Sequence, residues 1–258
     1  MRTFKTLLAG LLLAVTTPGC AAVPSPDAPP LEGTSWVLTE LPGRTLRGDP
    51  PATLRFEGGK AGGHDGCNRY TLGFTTRGST IDLSRPGAST QMACPPEVMQ
   101  QAQAYMAALN GAKSYRVVDG RLQILGGDGQ PLATFAPQST ELAGTSWRAT
   151  GINNGKGAVA SLVKDTTVTL AFGADGRASG SAGCNNFTAA YEYGAPQLTF
   201  KAAATTRKMC ADEGVMEQEQ AFLKALESVA IARMEGNRLE LRRADGALAA
   251  SFVREQAK

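Results

Sequence analysis

The sequence holds a single histidine in 258 residues. That excludes most histidine-built metal sites and makes a nucleophile–base triad hard to assemble. Charge of one sign is also missing. The net charge is +3, and without Arg2 and Lys5 the balance is 24 basic to 23 acidic residues. A nucleic-acid partner usually meets a concentrated basic face, so none is expected. No apolar run is long enough to span a bilayer, which takes roughly 20 residues as a helix. The longest, Leu7 to Val15, follows a short basic start and reads as the core of a secretory signal. What remains is ordinary for a folded protein: 42% hydrophobic and 19% charged residues, enough to bury a core.

Five cysteines are present, an odd number that an exported protein must account for. Gly19-Cys20 at the end of the signal is similar to a bacterial lipobox, in which the cysteine is acylated and becomes the mature N-terminus. Thr17 and Pro18 are unusual there, and cleavage after Ala22 to leave a soluble periplasmic protein is the alternative. Residues 21–30, AAVPSPDAPP, suit a Pro-rich tether. Acyl chains anchor by burying CH₂ groups, about 0.8 kcal/mol each. The expected layout is a signal at 1–19 and a tether at 20–30, with the membrane as partner through the lipid. The outer membrane is favoured, because Ala21 is not the Asp associated with inner-membrane retention.

The rest of the chain is written twice. Gly33-Thr34-Ser35-Trp36 recurs as Gly144-Thr145-Ser146-Trp147. Gly66-Cys67-Asn68 recurs as Gly183-Cys184-Asn185, Thr90…Cys94 as Thr206…Cys210, and Asp128-Gly129…Phe135 as Asp245-Gly246…Phe252. The landmarks keep their order, so two homologous domains are expected, at 31–137 and 138–253, joined at 136–140. Each copy reads as strands from its Trp to its second Cys, one helix, then hairpins turned at Asp-Gly or Gly-Asn. The first helix starts at Pro95-Pro96-Glu97 and shows one apolar face through Val98, Ala102, Tyr105, Met106 and Leu109. In the second, Asp212 can cap, and Val215, Phe222, Leu226 and Val229 mark the face. The fold class is therefore α+β: two tandem copies of a small, mostly antiparallel β domain with one helix packed on it.

After Cys20 each copy holds two cysteines, at the same two landmarks. One bridge within each domain, Cys67–Cys94 and Cys184–Cys210, suits an oxidising compartment. Pairing swapped between domains is the alternative. A zinc site would need CxxC pairs or histidines, and a catalytic Cys would need a neighbouring His; copy two has none.

The pattern Trp…Phe56…Gly63-His64-Asp65-Gly66-Cys67-Asn68-Arg69-Tyr70…Thr90 to Cys94 resembles the META domain, the family that includes the HslJ heat-shock lipoproteins. Copy two matches it with Phe172, Gly176, Gly180 to Phe187 and Thr206 to Cys210. The resemblance implies a small α+β fold, common in exported or lipid-anchored envelope proteins and loosely associated with stress. It implies no catalytic residues, no cofactor and no metal.

The residues that invite chemistry each have a plainer reading. His64 beside Asp65 suggests acid–base work, but copy two has Ser181-Ala182 there, and an exposed loop histidine is expected. The glycines from Gly58 to Gly66 lack phosphate-loop order and suit tight turns. Gly66, Asn68, Gly183 and Asn185 are expected to build a turn, Asn68 and Asn185 bonding backbone groups; ligand binding is their alternative role. Trp36 and Trp147 read as core anchors, and Glu213, Glu217 and Glu219 as a solvated helix face. The function expected is a non-enzymatic envelope lipoprotein that binds an envelope protein or polymer, or protects under stress. Alternatives are a periplasmic hydrolase inhibitor, with the Gly151–Lys164 stretch as its loop, and a carboxylate-dependent hydrolase.

Overall fold

The computed structural model describes residues 28–85 and 87–255. The expected signal, Cys20 and most of the tether lie outside the described residues. The tether's last residues are already part of the first domain. Ala28 packs on its core, and the Pro29 carbonyl accepts the Tyr115 hydroxyl at 2.8 Å.

The first copy holds β1 (Ser35–Glu40), β2 (Thr53–Glu57), β3 (Lys60–His64), β4 (Arg69–Arg77), β5 (Thr80–Arg85), α1 (Pro96–Asn110), β6 (Ser114–Val118), β7 (Arg121–Leu125) and β8 (Pro131–Pro137). Each strand pairs antiparallel with its sequence neighbours, and β8 returns to β1, closing a barrel. Closure removes the unpaired edges that an open sheet must protect. The weak seam is β5–β6, where α1 is inserted and one pair, Thr80 with Ser114, holds the register.

The second copy holds β9 (Thr145–Asn153), β10 (Val159–Ala160), β11 (Thr169–Phe172), β12 (Arg177–Ser181), β13 (Asn186–Gly194), β14 (Gln197–Phe200), β15 (Ala204–Thr205), α2 (Val215–Glu227), β16 (Val229–Glu235), β17 (Arg238–Arg243) and β18 (Leu248–Arg254). Its longer strands repeat the order of the first copy, and β18 pairs with β9. The short β10 and β15 pair with β9 and β13. The molecule is thus two tandem small antiparallel β domains, with one helix in the sequence of each.

Each domain has its own core. Leu54, Phe56, Leu122 and Phe135 are buried in one, and Trp147, Leu170, Phe222 and Phe252 in the other. The repeated Thr-Ser-Trp motif is a local clasp. The indole N–H of Trp36 donates to Thr34 Oγ1, and that of Trp147 to Thr145 Oγ1, both at 2.7 Å. Each Thr hydroxyl in turn donates to the carbonyl of Leu31 or Leu142. A large ring is buried with its one polar atom satisfied.

Three local expectations change. The passage before the first GCN, expected as turns, includes a strand, β3, whose Gly62 and Gly63 lie in extended chain. Glycine's poor strand propensity hides it. Asp212 does not cap α2 with its side chain; Gly214, in the left-handed region at φ 79°, precedes the helix. Val229 belongs to β16 and not to the helix face, because the chain leaves α2 through Ser228.

Candidate functional site

Two places gather polar groups: the GCN turn of each domain and the joint between the domains.

Each GCN turn is closed by its disulfide, Cys67 to Cys94 and Cys184 to Cys210, with Cα atoms 6.0 Å apart in both. The turn needs Gly66 and Gly183, at φ 102° and 113°, a region that L side chains rarely enter. Asn68 Oδ1 accepts Thr90 Oγ1–H at 3.0 Å and Met92 N–H at 2.7 Å. Asn185 Oδ1 accepts Thr206 Oγ1–H and Lys208 N–H, both at 2.7 Å. Each amide therefore ties the turn to the Thr-x-x-x-Cys segment that carries the second sulfur. Asn68 and Asn185 are buried and spent on scaffold bonds.

The carboxylate that supports this turn comes from different elements in the two copies. In the first, Asp65 Oδ1 accepts the N–H groups of Cys67 at 2.8 Å and Asn68 at 2.6 Å. In the second, position 65 corresponds to Ala182, and the acceptor is Glu219 on α2. Its Oε2 takes Asn185 N–H at 2.8 Å, and its Oε1 takes Asn185 Nδ2–H at 3.0 Å. Glu219, expected on a solvated face, is buried. Its counterpart in α1 is Ala102, so Asp65/Ala102 in one copy is exchanged for Ala182/Glu219 in the other. A buried N–H left unpaired costs about 1–3 kcal/mol, so each domain supplies one carboxylate.

His64 is also not the exposed loop residue expected. It is 7% exposed at the end of β3, and its Nδ1 accepts Gly66 N–H at 3.1 Å. Ser181 Oγ accepts Gly183 N–H at 3.2 Å in the same place. The histidine is a turn cap that needs an unprotonated Nδ1. Burial lowers its pKa from the usual 6.5, Arg238 lowers it further, and Asp65 opposes them. The neutral form is thus favoured in the folded state. The unfolded chain binds the proton more readily, so stability rises with pH through this window. Acidification below about pH 6.5 is expected to lower the melting temperature of the first domain progressively. His64→Ser, which keeps the cap, is expected to remove that part of the pH dependence. Thermal melts of both proteins from pH 7.5 to 5 check it.

Sequence reasoning missed two positions of the repeat here, four residues in all. Thr53 and Thr169 each offer Oγ1 to a strand-end N–H, that of His64 or Ser181, at 3.0 Å. Gln101 and Gln218, on α1 and α2, each grip a loop: Gln101 bonds both Arg47 N and O, and Gln218 bonds Val163 N and Thr166 Oγ1. Extending the repeat into the helices would have found the glutamines.

At the joint, the β16–β17 hairpin of the second domain docks on the first. Arg69 pairs with Glu235 at 2.7 Å and Glu240 at 3.2 Å. Thr53 Oγ1 donates to Glu235 Oε1 at 3.1 Å, Gly236 N–H donates to Gln138 Oε1 at 2.6 Å, and Asn237 Nδ2 donates to Asp49 Oδ1. Gln138, in the expected linker, also donates its N–H to Ser35 O. The arginine is half exposed, so its two ion pairs contribute at most about 1 kcal/mol each. Shape matters more. A Cβ on Gly236, at φ 61°, would stand 2.7 Å from Pro51 Cγ. Gly236→Ala is expected to loosen the joint while leaving both cores intact. Calorimetry checks it: the two domains' transitions should move apart, with little loss in the sum of their enthalpies.

Beside this contact lies a cleft of about 380 Å³. Arg55, Phe56 and Glu57 of β2 line it together with Ile231, Arg233 and Met234 of β16, and Tyr193 and Pro196 also line it. Tyr193 donates its hydroxyl to Thr140 O at 2.6 Å. Among the described residues, no cluster of three His, Cys, Asp or Glu side chains is placed to hold a metal ion, and no helix is long and apolar enough to cross a membrane.

No curated protein matches the chain. Among solved structures it is similar to the NMR structure of a protein from Burkholderia xenovorans, at 25% identity over 45% of this chain and 85% of that one, with a TM-score of 0.39. It is also similar to the crystal structure of a DUF4847 family protein from Bacteroides vulgatus, at 14% identity over 45% of this chain and 96% of that one, with a TM-score of 0.31. The META domain pattern matches residues 29–139 and again residues 140–256. With both copies matched over nearly all of its described length, the chain belongs to the META domain family and carries the domain twice in tandem.

Proposed function

We propose that the chain is a non-enzymatic module of the cell envelope. Two META domains, each a barrel with its helix packed on it, are held at the periplasmic face of the outer membrane by acyl chains on Cys20. They bind an envelope protein or polymer and protect it under stress. One observation carries this reading: the polar residues that invite chemistry are spent on the scaffold. His64 and Asp65 cap a turn, and Asn68 and Asn185 bind backbone and Thr groups. What the two copies repeat is framework, not a reactive constellation. The joint fixes the two domains side by side, which lets both act on one polymeric partner.

The test has two arms. Mass spectrometry of the mature N-terminus, with membrane fractionation, should find an acylated Cys20 in the outer membrane. A binding screen of the full chain against peptidoglycan, lipopolysaccharide and envelope proteins should find a saturable partner. An unmodified, soluble product or an empty screen counts against the proposal.

A hydrolase inhibitor is the second reading. The observation favouring it is the hairpin that ends β9 and returns in β10. Its tip is preset by Asn153 and Asn154, whose side chains accept the N–H groups of Gly155 and Lys156 at 2.9 Å, and residues 154–161 are exposed. Inhibition of an envelope hydrolase, lost on deleting residues 154–158, would favour this reading over the first.

A further inference from the structure

The cleft between the domains is lined by charges of unusual disposition. Arg55 Nε lies 3.4 Å from Glu57 Oε2, and an Arg233 terminal nitrogen lies 3.6 Å from the same oxygen. Well-made guanidinium–carboxylate bonds are about 2.7–2.9 Å. Arg69 and Arg242 reach 2.7 Å to their carboxylates in this protein. Among the described residues, neither the Arg55 nor the Arg233 guanidinium donates a hydrogen bond, although each carries five N–H donors. Their side chains are only 39% and 42% exposed, so part of each is removed from water.

One carboxylate thus stands between two cations, and the spot carries an excess positive charge. Glu240, cross-strand from Arg233, is shared with Arg69 at 3.2 Å and Arg242 at 2.7 Å, so it brings two further cations with it. Burial and then Arg55 lower the pKa of Arg233, with Glu57 and Glu240 opposing them. Beside the charges lie Ile231, Met234, Pro196 and Tyr193, with Ser35, Gln138 and Thr140 as the uncharged polar part of the lining. The cleft volume lies within the range of small-molecule sites, roughly 300–1,000 Å³.

We infer that the interdomain cleft binds an amphiphilic anion. Its carboxylate or phosphate head sits between Arg55 and Arg233, and its acyl or aryl body lies on Ile231, Met234 and Pro196. Glu57 holds the two arginines together in the empty cleft and competes with the ligand for them. Because Arg55 belongs to one domain and Arg233 to the other, the ligand also ties the two copies together. Neither copy alone contains the site, which explains why it has no counterpart in the repeat. The inference is independent of where the chain is anchored.

The test uses the full chain in zwitterionic nanodiscs, with empty nanodiscs as blank, titrated calorimetrically. Hexanoate and phenyl phosphate are the probes that join head and body. Inorganic phosphate carries only the head, and benzyl alcohol only the body. Saturable one-to-one binding of phenyl phosphate, hexanoate or both is expected, and it identifies whether an aryl phosphate or an acyl carboxylate fits. Inorganic phosphate and benzyl alcohol should bind at least tenfold more weakly. Arg55→Ala and Arg233→Ala should each weaken binding about tenfold or more, and Glu57→Gln should strengthen it severalfold. Arg121→Ala, which breaks a distant surface pair with Glu40, should leave it unchanged. Circular dichroism confirms that each variant is folded, and Arg→Lys replaces Arg→Ala if one is not. Failure of both joined probes to saturate overturns the inference. So does undiminished binding in the arginine variants, or inorganic phosphate binding as tightly as phenyl phosphate.

Discussion

Gly63→Ala is expected to cost at least ~3 kcal/mol, at or beyond the top of the usual range for overpacking. Gly180→Ala is expected to do the same in the second domain. A Cβ on Gly63 would stand 2.2 Å from the carbonyl oxygen of Thr53, and one on Gly180 would stand 2.1 Å from that of Thr169. Real Cβ atoms do not approach oxygen so closely, and the obstruction is backbone, which cannot swing away. Neither φ is in the left-handed region, so the requirement is closeness and not backbone handedness. The cause is the way each strand ends. The Thr hydroxyl, and not its carbonyl, receives the N–H one residue on, that of His64 or Ser181. In the first domain the Thr53 carbonyl is occupied instead by the hydroxyls of Tyr70 and Tyr105, at 2.8 and 2.9 Å. Moving it would break both bonds. Chemical denaturation of the full chain, read separately for each domain's transition, checks the prediction. Gly194→Ala is the control: its Cβ would meet nothing within 4 Å, and the change should be neutral or slightly stabilising.

Removing a bridge is expected to be as severe. The loops closed by Cys67–Cys94 and Cys184–Cys210 span 27 and 26 residues. On the chain-entropy view each contributes about 3–4 kcal/mol. A whole domain has about 5–15 kcal/mol of stability, so the loss is a large fraction. Replacing both cysteines of one pair by alanine should lower that domain's melting temperature by on the order of 15 °C. The two bridges should also differ in reactivity. Cys67 is 2% exposed, whereas Cys184 is only partly buried. Exchange requires access to a sulfur; the first bridge offers one partly exposed cysteine, Cys94, and the second offers two, so a mild thiol reductant should open Cys184–Cys210 first. Mass mapping of alkylated cysteines over a reduction time course checks the order, and simultaneous opening would contradict it.

The repeat and the disulfide framework were legible because they depend on residue identity at fixed order: Trp, GCN, Thr-x-x-x-Cys, Asp-Gly. The helices were legible from period and Pro placement, to within a residue at Pro96. The strand from Lys60 to His64 was not, since Gly62 and Gly63 carry no hydrophobic alternation to read. His64 and Glu219 were misjudged for a related reason. A polar side chain in a loop or on a helix reads as solvated unless its partner is known. Their partners, Gly66 N–H and the Asn185 backbone and amide, depend on how the turn folds.

The sequence by itself determined that one fold is used twice, that each copy carries its own pair of cysteines, and that no histidine-based chemistry is repeated. Local order and residue chemistry suffice for those. Tertiary structure alone decided which copy supplies the turn's carboxylate from the loop and which from the helix. It alone made the β16–β17 hairpin a docking tip and brought Arg55 to Arg233. Those pairs lie on non-equivalent elements, far apart in the chain. Their approach is set by barrel closure and by the packing of one domain on the other, which no period or motif encodes.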